Sequence, residues 1–137
     1  MDRLSRIIAN LETAFTNNRI LPVSFQWIEA FETQYGPIPT HLKELYLTLG
    51  YGSFGDGHFQ IQYLLEPDEV YFESTANTLA GTFIVITGSA GETYAYNINA
   101  DWCFGEIDLH GKFIPMQDLY KDLYDYLESI IEAELET

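Results

Sequence analysis

Three histidines, one cysteine, a run of glycines and an excess of carboxylates are the residues of this chain that could do chemistry. A thiol nucleophile needs a base beside it, and a serine nucleophile needs a tight glycine elbow. Cys103 stands between Trp102 and Phe104 in an apolar strand context, and no glycine-elbow serine occurs. His41 falls on a helix surface, His58 at a strand start and His110 in a turn, with no spacing that links them. Asp56 and His58 fall on one side of an extended chain and could share a metal, yet no third ligand stands at helical or strand spacing from them. With twenty-one acids, a carboxylate pair brought together by folding is expected by chance. These residues predict no catalytic group, no metal and no cofactor, so the chain is not expected to be an enzyme.

Gly50-Tyr51-Gly52-Ser53-Phe54-Gly55 matches G-x-G-x-x-G. A phosphate cradle of that pattern needs a strand before the glycines and a helix opening after them, so that backbone N–H groups converge on pyrophosphate. Here a helix pattern precedes and an alternating strand pattern follows. The run is therefore expected to be a helix-to-strand turn, and the residues that would have to accompany a kinase loop are missing.

The formal net charge is −15, with six basic residues against twenty-one acidic. Such a surface repels phosphate backbones and anionic lipid head groups and attracts basic proteins or cations, which argues against nucleic acid and membrane as partners. No stretch reaches the length of an apolar span. The lone Cys103 cannot form an internal disulfide and the first fifteen residues carry scattered charges, so a reducing cytoplasm is expected. At 137 residues the chain is expected to form a single domain over 1–137 with one ring-rich core, aromatics being 15% of it.

Hydrophobic spacing places the elements. Leu4, Ile7, Ile8, Leu11 and Phe15 make one helical stripe, ended by Asn17-Asn18. Ser24 caps a second helix with Ile28, Phe31 and Tyr35, stopped by Gly36-Pro37. Thr40 caps a third with Leu42, Leu45, Tyr46 and Leu49, ended at Gly50. Residues 58–64 alternate with Phe59, Ile61 and Tyr63 inward, and residues 93–98 with Tyr94, Tyr96 and Ile98 on one side. Phe83-Ile84-Val85-Ile86 is an unbroken apolar run suited to the middle of a sheet. The acidic segment Glu66–Glu73 either opens a short helix or runs as a loop. A hairpin around His110-Gly111 completes about five short strands, mostly antiparallel because the later connections are too short for crossovers. From Gln117 a long helix is expected, with Leu119, Leu123, Tyr126, Leu127 and Ile130 buried, an acidic opposite face, and fraying over 132–137. The fold class is α+β: a mostly antiparallel sheet with N-terminal helices and a C-terminal helix packed on it.

The order Phe31-Glu32, Tyr35-Gly36, Ile38-Pro39, a Leu-rich helix and a glycine-rich turn resembles the SUKH superfamily, the Smi/Knr homology proteins. The resemblance continues through Gly91-Glu92-Thr93-Tyr94-Ala95-Tyr96 to the final helix. Where the family often carries Asn-Gly-Gly, this chain reads Leu49-Gly50-Tyr51-Gly52. The resemblance implies an α+β domain and a bacterial immunity protein that docks on a cognate toxin. Charge makes a nuclease toxin a fitting target, since its basic cleft attracts an acidic domain. Two alternatives stay open: a scaffold or regulator with an endogenous partner, and an acidic phosphate mimic acting on a DNA-handling enzyme. The expected partner contacts are Tyr51, Phe54, Asp56, Tyr96, Asp101 and Trp102, rings and carboxylates read as lying in turns or at strand edges.

Overall fold

The computed structural model describes residues 2–136. Helix α1 (Arg3–Ala14) starts at Asp2, whose carboxylate accepts from the Ser5 N–H at 2.8 Å, and it buries Leu4, Ile7 and Leu11. Helix α2 (Phe25–Tyr35) is capped by Ser24 Oγ, which accepts from the Trp27 N–H at 3.1 Å, and it closes at Gly36 with φ +100°. In α3 (Thr40–Thr48) the expected Thr40 cap is not made, because Pro39 takes the cap position and Thr40 is already helical. Glu32 holds the elbow between these helices: it accepts from the Ile38 N–H at 2.9 Å and pairs with Lys43 at 3.1 Å. Those two contacts, the backbone one first, keep its carboxyl below the usual range.

Seven antiparallel strands lie side by side in sequence order: β1 (Arg19–Leu21), β2 (Tyr51–Phe54), β3 (Phe59–Leu65), β4 (Thr82–Gly88), β5 (Thr93–Asn97), β6 (Cys103–Ile107) and β7 (Phe113–Pro115). The α+β class and antiparallel sheet agree with expectation, and about five strands was too few. The two strands missed are β1, too short to show a period, and β2, which is the glycine run itself. That run is not a free turn. Gly52 has φ +148°, and a Cβ there would lie 2.0 Å from the Arg19 carbonyl oxygen. Only glycine lets β2 approach β1 at this distance, with Ile20 opposite Gly52.

The apolar run of β4 occupies the centre of the sheet. On one face lie α1, α2, α3 and α5 (Leu123–Leu135), enclosing Phe54, Phe59, Ile61, Phe83, Tyr96 and Phe104 in the main core. The other face is partly covered by the β3–β4 connection, a 3₁₀ turn (Pro67–Glu69) followed by α4 (Glu73–Thr78), with Leu79 packed on Ile84, Ala95 and Ile107. A bulge at Leu64, φ +56°, turns both Tyr63 and Leu64 to the main core and Leu65 to the smaller one.

The last helix begins later than its apolar stripe suggests. Leu119 and Tyr120 both donate to the Met116 carbonyl in a separate turn, and the extended Asp122 then caps α5 through the Asp125 N–H at 3.0 Å. Leu119 is accordingly 64% exposed instead of buried. The helix continues to Leu135, and Thr137, expected to fray with its end, lies outside the described residues.

Candidate partner-binding surface

A simple antiparallel meander has two ends. The β2–β3, β4–β5 and β6–β7 turns share one; the β3–β4 connection, the β5–β6 turn and the start of β2 share the other. The six expected partner contacts divide between these ends and the core. Phe54 is 1% exposed and stacks on Phe59 with ring centroids 4.9 Å apart. Tyr96 is also 1% exposed, with its hydroxyl accepting from the Leu123 N–H at 2.8 Å. Neither presents surface to a partner, which corrects their reading as surface anchors: alternation put Tyr96 on one side of its strand but did not show that helices cover that side. Asp56 is exposed at the first end, in the β2–β3 turn, and accepts from Asn17 Nδ2 at 3.0 Å.

Tyr51, Asp101 and Trp102 gather at the second end. Asp101 and Trp102 are consecutive left-handed residues, φ +55° and +58°, a conformation that costs a non-glycine residue on the order of 1 kcal/mol or more. Half-buried Trp102 begins a series of touching rings. Its centroid lies 6.2 Å from Phe31, Phe31 is 5.5 Å from Trp27, Trp27 is 5.6 Å from Tyr63, and Tyr63 is 4.9 Å from Tyr51. Tyr35 and Phe83 flank Phe31 at 4.8 and 5.0 Å.

Three open grooves run along this series. The first lies between Val23, Ser24, Tyr51 and the Trp27–Tyr63 wall; the second between Trp27, Tyr63, Tyr35, Glu66 and Glu69; the third between Tyr35, Glu66, Asp68, Asn77 and Phe83. Each shares a wall with the next. Their volumes of about 210, 280 and 330 Å3 lie around the low end of small-molecule sites, roughly 300 Å3.

Carboxylates border the second and third grooves. Glu66 accepts from the Tyr35 hydroxyl, and Glu66 and Glu69 cap the 3₁₀ turn reciprocally, with the Glu66 N–H donating to Glu69 Oε2 at 2.8 Å. That bond to Glu66, then burial, pushes the Tyr35 phenol up to about 12. Elsewhere Arg3 pairs with Asp125 at 2.6 Å and with Glu128 at 2.7 Å. Among the described residues, Glu66, Asp68, Glu69 and Glu73 have no basic partner within 4 Å. Phe72 on the same connection is 90% exposed.

The residues with reactive side chains are not brought together. Cys103 is buried, and burial pushes its thiol up. His41 Nε2 meets Tyr96 Oη at 2.8 Å, while His58 packs on the Phe15 ring with centroids 5.3 Å apart. Among the described residues no three His, Cys, Asp or Glu side chains converge as a metal site, and no helix is long and apolar enough to cross a membrane.

No protein-family model, curated protein or solved structure matches the chain. Sequence reasoning missed Trp27, Tyr35 and Tyr63 as surface-lining rings because their spacing is that of a core stripe. Glu66 and Glu69 did carry a signal: acids three apart around Pro67 fit a capping box.

Proposed function

We propose that this chain is a non-catalytic binding protein of the bacterial immunity type, similar to Smi/Knr homology proteins, which neutralises a cognate toxin by docking on it in the reducing cytoplasm. The observation that carries this reading is the sheet end where Glu66, Asp68 and Glu69, without a basic partner within 4 Å among the described residues, border the grooves along a series of rings, with exposed Glu73 and the 90% exposed Phe72 further along the same connection. Rings of this kind supply anchoring area, and uncompensated carboxylates supply steering toward a basic surface. A net charge of −15 extends that attraction beyond the contact itself. A nuclease toxin fits best, because a cleft that holds phosphate backbones is basic.

Co-expression with each toxin domain encoded by the same cell tests the proposal. Growth is rescued against one toxin, and the purified pair associates more slowly as salt is raised. Rescue of none, together with capture of an unrelated house-keeping protein, would point to a scaffold instead.

A further inference from the structure

We infer that the groove between α2 and the end of β3 receives an arginine side chain from a basic segment of the protein partner, an inference that rests on the binding reading above. Its walls are the rings of Trp27, Phe31, Tyr35 and Tyr63, and Glu66 and Glu69 stand at its border. Its volume of about 280 Å3, near the roughly 300 Å3 low end of small-molecule sites, has room for one inserted side chain.

The chemistry selects a cation. Ring faces attract positive charge, and two carboxylates fixed by the reciprocal cap offer acceptors that need no reorganisation on binding. A guanidinium is planar, weakly hydrated and able to stack while it donates to carboxylates, whereas an ammonium gives up its hydration less readily. The adjoining grooves share Trp27 and Tyr63 on one side and Tyr35 and Glu66 on the other, so residues flanking the arginine have a continuous path across this end of the sheet. At the opposite end, Tyr94, Tyr120 and Tyr126 with Glu92 line a second ring-and-acid cavity, which serves as an internal control.

The test is a titration of the full chain with acetyl-Gly-Arg-Gly-amide, followed by amide and indole NMR shifts. Saturable shifts are expected at the Trp27 indole N–H and the Glu69 amide, weaker with the lysine peptide and lacking with acetyl-Gly-Leu-Gly-amide. The Glu66→Gln/Glu69→Gln pair lowers affinity roughly tenfold. Trp27→Leu, which keeps both carboxylates, lowers it as well and covers the case in which the double variant does not fold. Shifts centred on Tyr94, Tyr120 and Tyr126, equal shifts with the leucine peptide, or no saturable shift would overturn the assignment. Toxin rescue untouched by the folded double variant would sink the groove and leave the immunity reading standing; arginine binding with no toxin rescued would do the reverse.

Discussion

His41 Nε2 lies 2.8 Å from Tyr96 Oη, at the point where the third helix, the fifth strand and the start of the last helix meet. Tyr96 has one hydroxyl proton and accepts from the Leu123 N–H at 2.8 Å, so a neutral His41 completes the set by accepting that proton. A protonated His41 would leave Tyr96 without an acceptor. Burial, the largest cause, holds His41 below its ordinary value of 6.5, Arg3 acts in the same sense, and Asp122 and Glu44 oppose. Between the lowered value and 6.5 the unfolded chain binds more protons than the folded one. Stability is therefore full above that window and falls as pH drops through it, ahead of the loss from protonated carboxylates. Urea unfolding from pH 7.5 to 5.5 is expected to show the fall, and His41→Gln is expected to flatten it.

Tyr96→Phe keeps the ring and removes the hydroxyl that serves two partners. The Leu123 N–H, in the first turn of the last helix, is then buried without an acceptor, at a cost of about 1–3 kcal/mol. A lowered urea midpoint with an unchanged m-value checks this. An unchanged midpoint would mean that water replaces the hydroxyl.

Gly52→Ala places a Cβ 2.0 Å from the Arg19 carbonyl oxygen at φ +148°. Relief requires the first strand to leave the second, and the expected loss is about 3 kcal/mol or more. Amide exchange should rise first at Arg19–Leu21, and the same substitution at Gly57, which carries the left-handed backbone cost at φ +87° but where a Cβ meets nothing within 4 Å, isolates the effect of the clash.

How much of this was legible in the sequence depends on what each residue had to signal. Ser24 and Gly36 bounded a helix because capping is local chemistry, and Phe83–Ile86 announced the centre of the sheet because a strand buried on both faces has no polar period. The second strand stayed hidden because Gly50 and Gly52 imitate a turn while serving a close strand pairing. Leu119 kept the helical stripe, yet the turn closed on Met116 and the extended Asp122 exclude it from the helix. At the candidate surface, Tyr51, Asp101 and Trp102 were found at the same sheet end, whereas Phe54 and Tyr96 lie in the core. A strand's alternation shows two faces without telling which one the helices will cover, and the acidic segment after the third strand left a short helix and a loop both open; the Glu66–Glu69 cap makes it a 3₁₀ turn, and Glu66 sits beside Tyr35, a tertiary contact that local spacing does not show.

Charge reversal separates the acidic sheet end from acidity in general. Asp68→Lys/Glu73→Lys changes two exposed residues of the β3–β4 connection, and Glu12→Lys/Glu132→Lys makes the same change in net charge on exposed positions of the first and last helices. Neither pair is expected to move stability by more than about 1 kcal/mol. Measured against the rescued toxin, the association rate of the first pair should fall at least roughly tenfold and that of the second only slightly. Equal losses for both pairs, or a larger loss for the helix pair, would contradict a docking face at this end of the sheet.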